Sequence, residues 1–233
     1  MGSKRNLKII GIIPARGGSK SIKNKNLIKL KNKNLIEDIF YKAKKSKIFS
    51  KIICSSESSK ILNFCKRKKI PYIRRPKKFS KDSSNVIEAV RHVIEIEKKK
   101  FKNDYTFISL LQPTSPFLTS EDIQRSCNLI RKKKNLNCVQ TIHQTPHNYH
   151  FLNTRIIKKN YLEFRFENER KKKFNKQKKD NIYNFGNFIV ARVEKVLKEK
   201  NLFLKPCGFI EINKIKSFDL DNFEDIYLAK RLK

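Results

Sequence analysis

Two stretches of this 233-residue chain carry residue types suited to phosphate and metal chemistry. The first is Pro14-Ala15-Arg16-Gly17-Gly18-Ser19-Lys20. Paired glycines let backbone N–H groups approach phosphate oxygens, Ser19 adds a hydroxyl, Arg16 offers a planar fork and Lys20 a mobile point charge. The spacing of Gly, Lys and hydroxyl is not that of a Walker A loop, and no G-x-G-x-x-G is present. The second stretch is Phe218-Asp219-Leu220-Asp221. Alternate residues of an extended segment share a face, so Asp219 and Asp221 can bring two carboxylates to one hard cation. A helix cap is the competing reading, because Asp221 precedes a segment of helical period with Glu224 at capping-box distance.

These residues need a scaffold, and the pattern supplies one. Short apolar runs alternate with segments of helical period: Ile9 to Ile13, then Leu35 to Ser46; Lys51 to Ser55, then Ser58 to Arg67; Ile70 to Arg74, then Val86 to Glu97. The rhythm continues with Tyr105 to Leu111 as a buried strand, Thr119 to Lys133 as a capped helix and Cys138 to Ile142 as a strand. Such β-α-β units predict an α/β fold, Rossmann-like, with a mainly parallel sheet. In sheets of that kind ligands bind where strands run into loops at the carboxyl edge, and Pro14 to Lys20 lies at such a junction. The rhythm fails over 146–180, which reads as an excursion from a single domain spanning 1–233. Strand-like Phe185 to Ala191, a helix over Val193 to Lys200, strand-like Phe209 to Ile212 and a helix over Phe223 to Leu232 return the chain to the core.

The net charge of +35 would suit a nucleic-acid partner. The basic residues are spread along the whole chain, however, and the aromatics sit in core-like runs without the interleaving of a stacking platform. No apolar run reaches membrane-span length, and the basic start lacks a small-residue cleavage site, so the cytoplasm is the expected compartment. The five cysteines form no C-x-x-C pair and are expected to be reduced, mostly buried thiols. His143, His147 and His150 have no carboxylate or cysteine alongside and are broken by Pro146, which reads as a lining or solvated loop, not a zinc set.

The first motif, followed by Lys25-Asn26-Leu27, resembles the signature of acylneuraminate cytidylyltransferases, the CMP-sialic acid synthetase family. The likeness continues through Ser55-Ser56-Glu57, Arg75-Pro76, Asp82-Ser83-Ser84, Gln112-Pro113-Thr114-Ser115-Pro116 and Phe218-Asp219-Leu220-Asp221, in the family's order. It implies the fold of nucleotide-diphospho-sugar transferases, a homodimer clasped through the excursion, and CMP transfer from CTP to the anomeric hydroxyl of a nonulosonic acid. By the same resemblance, the loop Ala15, Arg16, Gly17, Gly18, Ser19 and Lys20, together with Asn26, Arg75 and Ser84, holds the nucleotide. Gln112 and Lys176 meet the sugar, Asp219 and Asp221 bind magnesium, and Arg16, Lys20 and the two aspartates serve catalysis. Each has a simpler reading beside it: Arg75 as a solvated cation, Asn26 as a cap, Ser84 as the N-cap of the next helix, Gln112 as turn chemistry.

Three departures touch the sugar end. Leu118 stands where the family usually has arginine, Asn175-Lys176-Gln177 replaces Arg-Arg-Gln, and Phe185-Gly186 replaces Asn-Gly. The sugar acid is therefore open between N-acetylneuraminate and other nonulosonates such as legionaminate. No side chain stands out as a general base for the sugar hydroxyl. A glycosyltransferase of related architecture would also place aspartates on a metal, but mid-chain and without the Arg-Gly-Gly-Ser-Lys loop.

Overall fold

Strand β1 (Ile9–Pro14), built from four isoleucines, a glycine and a proline, is an interior strand of a seven-stranded sheet with every isoleucine fully buried. The computed structural model describes residues 7–18, 21–80 and 84–232, so Ser19, Lys20, Asp82 and Ser83 lie outside the described residues. After β1 come a small hairpin, β2 (Lys29–Leu30) and β3 (Lys33–Asn34), and helix α1 (Leu35–Lys45). Next are β4 (Lys51–Ser56), α2 (Ser59–Arg67), β5 (Tyr72–Arg74), α3 (Val86–Phe101), β6 (Phe107–Leu111), α4 (Ser120–Lys132) and β7 (Cys138–Gln144). A second hairpin, β8 (Arg155–Lys158) and β9 (Tyr161–Phe164), and the short α5 (Glu167–Lys172) precede β10 (Tyr183–Arg192), α6 (Val193–Glu199), β11 (Cys207–Glu211) and α7 (Phe223–Leu232).

The sheet order is β11-β7-β10-β6-β1-β4-β5, and only β10 runs antiparallel to its neighbours. The α/β, mainly parallel architecture is thus the one the alternating pattern predicts. Both faces are covered, one by a core containing Ile36, Ile39, Phe64 and Ile123, the other by one containing Val90, Val93, Ile94 and Val196. Burial on both sides explains why β1 reads as a continuous apolar run, and β6 as one broken only by the buried Ser109, and not as alternating ones.

The differences from the sequence pattern lie at element ends. Strand β5 starts at Tyr72, not Ile70, because Lys69 turns through φ 54° and Pro71 has no N–H for the ladder. Strand β6 starts at Phe107 because the N–H groups of Thr106 and Phe107 both donate to the Lys8 carbonyl before regular pairing begins. Helix α3 runs on to Phe101, where Lys102 in the left-handed region donates back to Glu97 and ends it. Helix α4 opens as the sequence suggests, Thr119 and Asp122 forming a reciprocal capping box.

Between β7 and β10 the chain leaves the sheet. Here β8 pairs with β9 in register Ile157 to Leu162, and Arg170 lies 4.2 Å from the ring centre of Phe164. Ile157 (77% exposed), Tyr161 and Leu162 project into solvent from this hairpin.

Candidate functional site

A cleft of about 420 Å³ opens at the carboxyl ends of β1 and β6, where Pro14, Leu110, Gln112, Pro113 and Thr114 line it. Arg16 and Asn26 come to the same cleft from the β1–β2 connection, and Arg75 and Ser84 from the β5–α3 connection. A parallel sheet makes this convergence natural, since every β-to-α connection starts from the same edge.

The loop after β1 is fixed by backbone geometry. Ala15 N–H donates to Ser55 O (3.0 Å), carrying the β1–β4 pairing one residue further. Gly17 N–H then donates to Glu57 Oε1 at 2.6 Å. A side chain at Gly17 would place its Cβ 2.6 Å from Ser58 Cβ, so only glycine lets the backbone come this close. Asn26 is buried and its Nδ2 donates to Arg16 O (2.9 Å), so it ties the loop to the following 3₁₀ turn. It does not cap that turn, which starts from Asn24. Arg16 itself is exposed at the mouth of the cleft.

Arg75 corrects the simplest reading of its sequence context, because it is not a solvated cation. It is 5% exposed, with its N–H held by Ser56 O and its guanidinium 3.0 Å from Glu57 Oε2. Its buried Nε has no hydrogen-bond partner among the described residues. Glu57 thus bridges the loop amide and the buried arginine. Burial alone would raise its pKa, but the hydrogen bonds from Gly17, its own backbone and Arg75 outweigh it and hold the carboxyl below the usual range. Sequence reasoning quoted Glu57 only as part of a motif and gave it no role.

The N-cap reading of Ser84 also fails. Asn85 caps α3, accepting from Ile87 N–H (3.0 Å), while Ser84 Oγ donates to Lys78 O (3.1 Å) and faces the cleft. Gln112 lines the cleft and its carbonyl accepts from Ser115 N–H, so it takes part in a turn as well.

The segment carrying Asp219 and Asp221 does not line the cleft but lies beside its lining residues Thr114 and Lys25. Leu220 N–H donates to Thr114 O (2.9 Å), fixing that segment beside the Gln112–Thr114 loop. Upstream, Asn187 Nδ2 donates to Ser217 O, and Lys216 Nζ lies 2.9 Å from the fully buried Asp122. The cap reading of Asp221 is overturned: Asn222 accepts from Asp225 N–H and Asp225 accepts from Asn222 N–H, so the capping pair sits one residue later and Glu224 has no part in it. Asp221 is exposed and pairs with Lys25, Nζ to Oδ1 3.1 Å. Asp219 Oδ1 is buried without a hydrogen-bond partner among the described residues. Burial raises its pKa, the nearby charge of Asp221 adds to the rise, and Thr114 and Lys25 oppose it. An orphaned buried carboxylate oxygen beside a second carboxylate fits a hard divalent cation, which would satisfy what the protein leaves open.

Lys176 is not brought to this cleft. It is exposed on a 3₁₀ turn, Lys176–Lys178, within the excursion. Leu118 is fully buried in the core, its backbone N–H closing a turn onto Ser115 O. Gly186 is buried against Thr141, and the β7–β10 register shifts between Phe185 and Ile189. Lys25, Phe79 and Thr114 line the cleft although no role was read for them in the sequence; Lys25 and Thr114 stood inside quoted motifs, which was the available signal.

Residues 10–231 match a family model described as cytidylyltransferase. The chain is 28% identical over 224 residues to N-acylneuraminate cytidylyltransferase of Escherichia coli O18:K1:H7, covering 95% of this chain and 51% of that protein. It spans, therefore, about half the length of that relative. It is 26% identical to the pseudaminic acid cytidylyltransferase of Campylobacter jejuni (strain 81-176), covering 97% of this chain and 96% of the relative. It is 27% identical to CMP-N,N'-diacetyllegionaminic acid synthase of Legionella pneumophila, with the same coverage. Among solved structures, a CMP:2-keto-3-deoxy-manno-octonic acid synthetase complexed with CTP shares the fold, with a TM-score of 0.72, 12% identity, and coverage of 97% of this chain and 98% of the other.

Proposed function

Because this chain belongs to the cytidylyltransferase family, we propose that it transfers CMP from CTP to the anomeric hydroxyl of a nonulosonic acid and releases pyrophosphate. The observation that carries the reading is the convergence of Arg16, Asn26, Arg75, Ser84 and Gln112 on one cleft at the carboxyl edge of the sheet, with Asp219 alongside.

The sugar hydroxyl attacks the α-phosphorus, and negative charge is spread over the phosphoryl oxygens as the bond to pyrophosphate breaks. Arg16 and Lys20 supply cationic charge to those oxygens, and the glycine pair offers backbone N–H groups. Arg75, already buried and held by Glu57, meets the nucleotide without paying for its own ordering. Ser84 and Asn26 line the nucleotide side of the cleft and Gln112 the sugar side. Magnesium would be held by Asp219 and Asp221, and when bound it neutralises part of the triphosphate charge.

The exposed apolar hairpin of Ile157, Tyr161 and Leu162 supports a homodimer formed through the excursion. In such a dimer Lys176, remote from its own cleft, is available to the partner's sugar. A cytoplasmic location suits the reduced thiols and CTP, and among the described residues no helix is long and apolar enough to cross a membrane.

The sugar class is drawn from the relatives, whose names specify N-acylneuraminate, pseudaminic acid and N,N'-diacetyllegionaminic acid. Pyrophosphate release should be measured with CTP, UTP, ATP and GTP against one panel of those three acids. CTP with at least one nonulosonic acid is expected to dominate. Equal turnover with UTP would refute the nucleotide assignment, and CTP turnover with none of the acids would refute the sugar class.

A further inference from the structure

The fold joins two cysteines that are far apart in sequence, at the edge of the sheet opposite the nucleotide cleft. Cys138 opens β7 and Cys207 opens β11, and the parallel pairing of these strands places the two directly side by side in register. Both are free thiols, Cys138 buried and Cys207 exposed. Adjacent strands lie about 4.8 Å apart, which falls inside the roughly 4.4–6.8 Å separation of Cα atoms that a disulfide spans. Gln140 Nε2 donates to Cys207 Sγ at 3.1 Å, a contact that favours a sulfur carrying negative charge. Cys138 Sγ lies 3.0 Å from Leu204 O, so its thiol proton has an acceptor and the side chain is held beside its neighbour.

We propose that Cys138 and Cys207 form a thiol redox site, in which peroxide oxidises Cys207 and Cys138 resolves the product as an intramolecular disulfide. The Cys207 thiolate attacks one peroxide oxygen, the O–O bond breaks, and the departing hydroxide takes a proton to become water, leaving Cys207 as a sulfenic acid. Cys138 loses its proton, attacks the Cys207 sulfur, and the sulfenic oxygen leaves as a second water. Two thiols and one peroxide thus give one disulfide and two waters, the two electrons passing from sulfur to oxygen. The ionisation of the pair agrees with these roles. Contact with Cys138, followed by the Gln140 hydrogen bonds, pushes Cys207 down to about 6 against an opposing effect of burial, and Cys138 is pushed up. The exposed thiol is the reactive one, and the buried thiol waits for the sulfenic acid.

The molecule contains its own control. Cys54 and Cys65 also lie in contact, but both are buried, Cys54 is pushed up, and neither offers a surface to an oxidant. Peptide mapping of the intact protein after limited hydrogen peroxide should yield a disulfide-linked pair of peptides containing Cys138 and Cys207. In Cys138→Ser, the sulfenic acid should persist on Cys207 and be trapped by dimedone. Iodoacetamide at about pH 6.5 should label Cys207 of the untreated protein roughly tenfold faster than any other cysteine. Any of three results overturns the proposal: a Cys54–Cys65 link with Cys207 untouched, a Cys207 bond between two molecules, or sulfinic acid on Cys207 with Cys138 free. The map of the unaltered protein decides the matter even if Cys138→Ser does not fold.

Discussion

Replacing Glu57 by glutamine tests whether the nucleotide side of the cleft is preorganised by one carboxylate. Both partners of Glu57 are donors: Gly17 N–H at 2.6 Å to one oxygen and the Arg75 guanidinium at 3.0 Å to the other. Glutamine keeps the shape but offers only one acceptor oxygen. Its NH₂ must then face either the loop amide or the arginine, and one hydrogen bond becomes a donor-donor contact. A hydrogen bond to a charged group is worth about 1.5–3 kcal/mol, and Arg75, only 5% exposed, also loses its counter-charge. Breaking a buried pair costs roughly 3–5 kcal/mol, but the open cleft gives Arg75 some access to water, so about 2–3 kcal/mol is the expected total. For a chain of this size that is a fall in Tm of roughly 4–12 °C. Without the strut, CTP must order Arg75 and the Gly17 loop as it binds, so the CTP-induced rise in Tm should be smaller in Glu57→Gln than in the parent. Thermal unfolding followed by circular dichroism, with and without CTP, measures both quantities. An unchanged Tm together with an unchanged CTP response would show that Glu57 is not a strut for the site. The pH dependence has a definite sign: a folded carboxyl below its ordinary range stabilises above the unfolded value, and the contribution is lost as pH falls through the lower, folded one. Glu57→Gln should therefore flatten the acid limb of the stability profile.

Three further outcomes are expected. Lys20→Ala should lower kcat by roughly a hundredfold or more with the fold intact, since a preorganised charge at a phosphoryl transition state contributes several kcal/mol; unchanged kcat in a single-turnover assay would reduce the loop to a turn. Asp219→Asn and Asp221→Asn should each raise the magnesium concentration giving half-maximal activity, because a neutral amide is the weaker ligand. Burial holds Asp219 above the ordinary carboxylate range, so in the parent the magnesium requirement should rise as pH falls through that raised value, and Asp219→Asn should remove this dependence; titrations overlaying the parent at every pH would exclude the pair as the metal site. Leu162→Asp, on the exposed hairpin, should convert a dimer to a monomer in sedimentation while costing the fold no more than about 1 kcal/mol of stability; an unchanged sedimentation coefficient would remove that face from the interface.

The scaffold was legible because its signal is repeated. Each apolar run of the parallel strands is followed by a segment of helical period, and an error at one end, such as Ile70 or Tyr105, leaves the order of elements untouched. Less legible was anything that depends on a pair of residues distant in sequence. The antiparallel direction of β10 cannot be read from Phe185 to Ala191, because a buried strand shows the same apolar run in either direction. The capping pair at α7 was misplaced for a related reason: Asp221, Asn222, Glu224 and Asp225 all have cap-compatible side chains, and only the backbone geometry selects Asn222 with Asp225.

That small shift changes the character of the site. A carboxylate used as a cap is already satisfied by backbone N–H groups and has little left for a cation. With capping handled by Asn222 and Asp225, Asp221 is left exposed beside Lys25, while Asp219 keeps a buried oxygen without a partner among the described residues. Such an oxygen destabilises a folded chain, and the surrounding contacts from Leu220 to Thr114, Asn187 to Ser217 and Lys216 to Asp122 hold it in place nonetheless. Arg75, in the cleft lining, shows the opposite sign of the same economy, a buried cation with one nitrogen unpartnered among the described residues. A negatively charged ligand and a cation bound together would satisfy both at once, whereas either alone would answer only one of them. The two orphaned groups thus favour a charged pair, nucleotide triphosphate with its metal, over a neutral ligand in this cleft.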